Sequence, residues 1–246
     1  MHEFDHLSSH LTPSGDADRI VLGREKWCEA VESFADPSVT AFAKRLNDSP
    51  AGQRFLDTIF ANSPYLTICL CQDPHFTMEL LTRGWDAVHV KILDDLVVLR
   101  RDPGNSADIS KKLRIAKRQA ALTIAAADIA GAWPVQRVTT ALSDFADHAI
   151  SAAAAHVLRE ASANDGLQLA DADDPEKGSG LVILGMGKLG SCELNYSSDV
   201  DLIVLFDAEK VVVPGPDRVL KIFVRLTRSL VKLLEERTRD GYVFRT

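Results

Sequence analysis

The sequence predicts an α+β protein. It divides into a helical region over residues 1–165, a linker or loop over 166–180, and a smaller α/β core over 181–246. Three observations predict this. Ser–Pro and Asp–Pro helix starts punctuate the first part of the chain. An acidic, glycine-containing stretch follows them. The apolar pattern then changes from helical spacing to short runs of strand length.

Between Asp16 and Phe34, apolar residues recur at Ile20, Val21, Trp27, Ala30, Val31 and Phe34, close to the period of a helix. Asp36-Pro37, Ser49-Pro50, Ser63-Pro64 and Asp73-Pro74 each set a capping side chain ahead of a proline. The fixed φ and missing N–H of proline suit the first helical turn. Residues 102–106, Asp-Pro-Gly-Asn-Ser, form a loop. Residues 107–132 read as one long helix, basic in its first half and small and apolar in its second, ended by Trp133-Pro134. Residues 135–160 form another, and the run from Ala152 to Ala155 predicts close packing against a neighbour. No repeat of fixed period is present.

Residues 171–180 carry Asp171, Asp173, Asp174 and Glu176 with Gly178 and Gly180, the composition of a linker or exposed loop. Residues 181–184 and 202–206 then read as strands, and 211–213 as a possible third. Pro214-Gly215-Pro216 is a turn, Asp217 can cap a helix running to about Arg239, and Asp240-Gly241 turns into a final strand over 242–246.

Hydrophobic residues make up 46% and charged residues 26% of the 246, an ordinary globular composition. A net charge of -7 argues against nucleic acid as a bulk electrostatic partner. Cys28, Cys69, Cys71 and Cys192 show neither a disulfide framework nor a zinc spacing. The first residues lack a basic and apolar leader, and the most apolar window, 120–132, is too short for a bilayer and carries Asp128. The expected compartment is the cytoplasm, with no membrane partner.

The chemistry concentrates between residues 181 and 206. Asp199 and Asp201 stand two apart at the head of an apolar run, so on an extended segment both carboxylates leave the same face and can share divalent cations. Gly187, Lys188 and Gly190 lie just before them, in a bend whose backbone N–H groups can cradle a phosphate. Metal ligands beside a phosphate cradle suit phosphoryl or nucleotidyl transfer. Gly185, Gly187 and Gly190 also match the dinucleotide fingerprint, but that fold needs its acid about 20 residues on at a strand end. Here the acids fall 14 and 16 residues after Gly185, at a strand start, and come as a pair. The remaining reading is an ordinary turn before a solvated strand edge.

These residues carry a resemblance. Gly187-Lys-Leu-Gly190, followed by Glu193-Leu-Asn-Tyr-Ser-Ser-Asp-Val-Asp-Leu-Ile203, resembles the motif of the glutamine synthetase adenylyltransferase/adenylyl-removing enzymes. That family carries two nucleotidyltransferase domains of the DNA polymerase beta type, and the wording from Leu194 to Ser198 is similar to the N-terminal, adenylyl-removing copy. Asn62-Ser-Pro-Tyr-Leu66 with Asp73-Pro74, Leu113-Arg114, and Ala127-Asp-Ile-Ala-Gly131 resemble its helical segments, so the match runs from about residue 60 onward. The resemblance implies that AMP is removed from an adenylylated tyrosine of glutamine synthetase by Mg²⁺-dependent phosphorolysis, releasing ADP, within a bifunctional nucleotidyltransferase of nitrogen metabolism. It assigns Asp199 and Asp201 to Mg²⁺ and catalysis. Gly187, Lys188, Gly190, Asn195, Ser197 and Ser198 fall to the nucleotide or phosphate, with a structural turn role equally open for Asn195, Ser197 and Ser198. It names glutamine synthetase as partner, and a PII-type signal protein through other parts. The family pattern continues with Asp-Leu-Arg-Leu-Arg-Pro, whose third carboxylate would follow Thr246, so the expectation is a core truncated at its C-terminus. The alternative is a non-catalytic docking or regulatory fragment that binds glutamine synthetase or a PII-type protein.

Three other patterns invite a function. Arg218, Lys221, Arg225, Arg228 and Lys232 share a helical face opposite Leu220, Phe223, Leu226, Leu230 and Leu234. They read as a solvated face, or as a surface for an acidic partner. The basic run from Lys111 to Arg118 reads as a solvated face interrupted by Leu113, Ile115 and Ala116. His148 and His156, eight apart, are too distant along a helix to chelate one metal as a pair.

Overall fold

The structure is a computed structural model that describes residues 4, 7, 11, 15–196 and 198–246. Among these it has α1 (Ala17–Phe34), α2 (Pro37–Asp48), α3 (Pro50–Asn62), α4 (Pro64–Gln72), α5 (Pro74–Arg83), α6 (Trp85–Arg101), α7 (Ser106–Ile129) and α8 (Val135–Asp165). There follow β1 (Leu181–Gly185), the short α9 (Gly187–Gly190), β2 (Leu202–Phe206), a 3-10 turn (Pro216–Arg218) and α10 (Val219–Glu235). The class is α+β and rich in helix, as the patterning predicts. Among the described residues no helix is long and apolar enough to cross a membrane. The chain forms two compact units, Met1–Lys91 with Arg118–Val138, and Ile92–Lys117 with Thr139–Thr246.

In the first unit the helix starts follow the Pro signals. Asp36 accepts from Ser38 N–H at 2.8 Å, Ser49 from Gly52 N–H at 3.4 Å, Ser63 from Leu66 N–H at 3.2 Å and Asp73 from Phe76 N–H at 3.0 Å. Each cap satisfies a first-turn donor that the helix itself leaves open, with Pro at the following position. One break lacks such a signal: Gly84, at φ +85°, separates α5 from α6. The core gathers Trp27 and Val31 of α1, Phe42 and Leu46 of α2, and Phe55, Ile59 and Phe60 of α3. Gly23 lets α1 approach α3, since a Cβ there would lie 2.4 Å from Phe60 Cγ. Arg24 clamps Asp57 with two bonds of 2.8 and 2.6 Å across the same pair. Among the described residues the cysteines form no disulfide, with Cys69 buried and the Cys71 thiol pushed up to about 11 by burial.

In the second unit, Ala152 to Ala155 are fully buried, as their small size predicts. Residues 166–180 contain no helix or strand, yet their acids tie them down. The Arg100 guanidinium donates to Asp174 and, at 2.8 Å, to Glu176, which also accepts from Ser151 Oγ at 2.6 Å. Strands β1 and β2 pair antiparallel, with Leu181 opposite Phe206 and Gly185 opposite Leu202. Phe206 stacks on Phe223 of α10 at 4.6 Å, so one face of the hairpin rests on that helix.

Four readings change here. Residues 211–213 form no strand: Val212 accepts one bond, from Gln168 N–H at 2.9 Å, and Pro214 then withholds a donor. Asp217 is not the cap of α10, because it lies in the 3-10 turn and Arg218 takes the cap position. Helix α10 ends at Glu235, and Leu220 on it is 63% exposed while Phe223, Leu226, Leu230 and Leu234 are buried. Residues 242–246 are not a strand, since the N–H groups of Val243 and Phe244 both go to Leu234 O, closing the end of α10.

The basic run of α7 is not a solvated face throughout. Arg114 is 1% exposed. It donates to Ser110 O at 2.7 Å and Ser110 Oγ at 2.6 Å, to Gly241 O at 2.9 Å, and to Glu236 O. Lys117 lies 4.5 Å from the Phe244 ring centroid, and that ring packs on Phe145 at 5.9 Å. A buried arginine and two aromatic rings thereby fix the segment after α10.

Candidate active site

The hairpin of β1 and β2 carries a long connection, residues 186–201, that holds the sequence-predicted residues. The ladder runs one bond past the strands, with Met186 N–H donating to Asp201 O at 2.8 Å. Chain reversal after β1 depends on two glycines. Gly187 adopts φ +54°, which side chains other than glycine's oppose. Gly190 passes so close to the end of β1 that a Cβ on it would lie 2.5 Å from Gly185 O. Between them runs the single turn of α9, whose first closing bond is Gly190 N–H to Met186 O at 3.2 Å. The N–H groups of Gly187, Lys188 and Leu189 precede that bond, and Met186 provides no capping side chain.

Asp199 and Asp201 lie just before β2 rather than within it. Val200 between them is fully buried and both acids are exposed, the alternation of an extended segment. The Asp201 carboxylate faces the bend: a Cβ built on Gly187 would lie 3.8 Å from its Oδ2. Asp199 is engaged by Arg245, whose Nε donates to Oδ1 at 2.6 Å. Val200 N–H donates to Arg245 O at 2.8 Å, so backbone and side chain of Arg245 grip both residues.

Lys188 and Gly190 are exposed in the bend. The Lys188 carbonyl accepts from Glu193 N–H at 2.8 Å, and Ser191 Oγ reaches Glu193 at 3.4 Å. Ser198 Oγ donates to Asn195 Oδ1 at 2.7 Å, so these two brace one another. Ser197 lies outside the described residues. Cys192 holds φ +58° without being glycine, a strained backbone point inside the loop. Leu194, 2% exposed, plugs the loop into the unit, and its N–H donates to Ser143 Oγ of α8 at 3.2 Å.

The donor chemistry suits Mg²⁺, which takes one or two carboxylates and completes its shell with phosphate oxygens and water. Asp199 already holds a cationic group and Asp201 faces the glycine bend. Among the described residues no group of three or more His, Cys, Asp or Glu side chains converges as a metal site.

The family model of glutamate-ammonia ligase adenylyltransferase matches residues 54–246. The chain belongs to that family. Its members include the bifunctional glutamine synthetase adenylyltransferase/adenylyl-removing enzyme of Rhodopseudomonas palustris strain BisB5, 40% identical over 97% of this chain and 25% of the relative. The enzyme of the same description from Bradyrhizobium diazoefficiens is 37% identical over 90% of this chain and 22% of the relative. That of Bradyrhizobium sp. strain ORS 278 is 49% identical over 56% of this chain and 14% of the relative. The chain spans about a quarter or less of the length of these curated relatives. The family resemblance read from the motif between Gly187 and Ile203 is thereby established, and with it a nucleotidyltransferase lineage.

Three residues that shape the site act on partners far from them in the sequence. Arg245 stands 46 positions from Asp199, Ser143 stands 51 from Leu194, and Arg114 stands 127 from Gly241. The one local sign is a charged residue set among apolar neighbours, Arg114 beside Leu113 and Ile115, and Arg245 after Val243-Phe244.

The basic face of α10 is partly spent within the unit. Arg225 and Arg218 pair with Asp165, the latter at 3.9 Å, and Lys232 approaches Glu236 at 4.0 Å. Asp165 is buried, so charge reversal at Arg225 would strip a buried carboxylate of its partner and could not isolate a docking role.

Proposed function

We propose that the chain carries the adenylyl-removing site of this family, with residues 181–246 as the core of a nucleotidyltransferase domain. The reaction is phosphorolysis of a tyrosine–AMP bond on glutamine synthetase. An oxygen of inorganic phosphate attacks the AMP phosphorus. The bond from phosphorus to the tyrosine oxygen breaks, a proton of the phosphate passes to that oxygen, and ADP and free tyrosine result. Mg²⁺, when bound, supplies positive charge for the phosphate oxygens. Asp199 and Asp201 are the residues that would hold it. Lys188 acts as a point charge for a phosphate arriving at the Gly187 bend. Asn195 and Ser198 stiffen the far side of the loop, and no side chain is needed as covalent nucleophile.

The observation that carries this reading is the Asp201 carboxylate facing the Gly187 bend, beside a second acid across a buried valine. The test is ADP release from adenylylated glutamine synthetase supplied with inorganic phosphate and Mg²⁺. Loss of a metal ligand removes several kcal/mol of charge stabilisation, so Asp201→Asn should lower the rate on the order of a thousandfold. An unchanged rate would overturn the assignment. A docking role toward glutamine synthetase or a PII-type protein is the second reading. Mg²⁺-dependent ADP binding separates the two.

A further inference from the structure

The ion pair between Asp199 and Arg245 contributes little to the fold. Both side chains are largely exposed, at 59% and 58%. Exposed pairs stabilise folded chains little. The backbone of the segment is already fixed without this side chain, by Val200 N–H to Arg245 O, by the buried Val243 and Phe244, and by Thr246, whose N–H donates to Glu235 at 2.8 Å. The bond itself is short, 2.6 Å, and aims a guanidinium at one of the two carboxylates that face outward around Val200.

We propose that Arg245 is the resident counter-cation of Asp199, and that a divalent cation entering at Asp199 and Asp201 must displace it. The inference rests on the assignment of these acids as metal ligands. Without a cation near them, two carboxylates one residue apart on the same side repel. A guanidinium on one of them relieves that repulsion and holds the loop in its binding conformation. A small doubly charged ion satisfies both acids at once and offers oxygen ligands a full coordination shell, which a guanidinium cannot. The exchange is inexpensive because the pair is solvated. Its cost is no more than the worth of an exposed ion pair, so Arg245 lowers metal affinity about two- to fivefold while keeping the empty loop ordered.

The test is titration of the chain with Mn²⁺, followed by the loss of the free-ion electron paramagnetic resonance signal. Five proteins are compared: the parent, Arg245→Gln, Asp199→Asn, the double variant, and Asp201→Asn as reference for the site. Thermal melts verify that each is folded. Arg245→Gln should bind Mn²⁺ about two- to fivefold more tightly than the parent. The same substitution should give no gain in the Asp199→Asn background, because the pair it dissolves is already gone. An equal gain in both backgrounds would reveal only a general charge effect and overturn the proposal. No gain in the parent background would overturn it as well, while weaker binding by Asp201→Asn would leave the metal assignment standing. If Asp201→Asn binds Mn²⁺ like the parent, or if no protein takes up Mn²⁺ in the millimolar range, the metal assignment itself falls and this inference with it.

Discussion

Arg114 Nε donates to the carbonyl oxygen of Gly241 at 2.9 Å, joining residues 127 positions apart. Through this bond and those to Glu236 O and Ser110, a buried guanidinium sets the turn from which residues 243–246 return to Val200. Burial lowers the Arg114 pKa from its ordinary value, and the nearby charges of Glu236 and Asp240 oppose that shift. Arg114→Met would leave the Gly241 and Glu236 carbonyls without this donor. The expected loss is about 3 kcal/mol, seen as a lower urea midpoint. A midpoint within error of the parent would mean that the turn is held by other contacts.

The two glycines of the bend should differ in their response to alanine. At Gly190 a Cβ would fall 2.5 Å from the Gly185 carbonyl oxygen, so backbone must move. Gly190→Ala is expected to cost about 2 to 3 kcal/mol. At Gly187 the nearest atom, Asp201 Oδ2, lies at an ordinary 3.8 Å, and the obstacle is φ +54° alone. Gly187→Ala should cost about 1 kcal/mol. Equal losses in chemical denaturation would contradict this account of the turn.

His156 gives the second unit a pH dependence. It is 5% exposed, and burial depresses its pKa below 6.5 despite Glu160 at 3.4 Å. As pH falls through 6.5 the unfolded chain binds a proton that the folded chain does not. Stability therefore declines on acidification, and the decline levels once the folded imidazole also protonates. Urea midpoints from about pH 8 to about pH 5 should drop in the parent and drop less in His156→Gln, whose amide can still reach Ser106. Parallel profiles would assign the dependence to other groups.

The Ser–Pro caps make a simpler forecast. Ser63 Oγ accepts from Leu66 N–H at 3.2 Å, and its loss should lower stability by about 1 kcal/mol in Ser63→Ala. Replacement by Asp should restore most of it, because a carboxylate accepts the same bond. Failure of Asp to rescue would show that the hydroxyl acts elsewhere.

What was legible in the sequence was local. A cap and its proline are neighbours, so α2, α3, α4 and α5 begin where the residues direct. The strand over 202–206 was legible from its apolar run, and the spacing of Gly187, Gly190, Asp199 and Asp201 announced the loop. What was illegible was held from a distance. Residues 242–246 have the composition of a strand, but Leu234 O takes two of their N–H groups and Arg114 sets the turn before them. Asp217 has a capping side chain, but a 3-10 turn consumes its position. The pairing of Asp199 with Arg245 depends on a chain path that no short window of sequence contains.

The hairpin has a second face. Val182, Leu184, Ile203 and Leu205, paired across the strands, are each between 42% and 50% exposed on the side away from α10. Among the described residues the sheet has only these two strands. Water tolerates such a ribbon poorly, and concentrated solutions of the isolated chain should cloud on warming and clear on chilling, since attraction between aliphatic surfaces weakens in the cold.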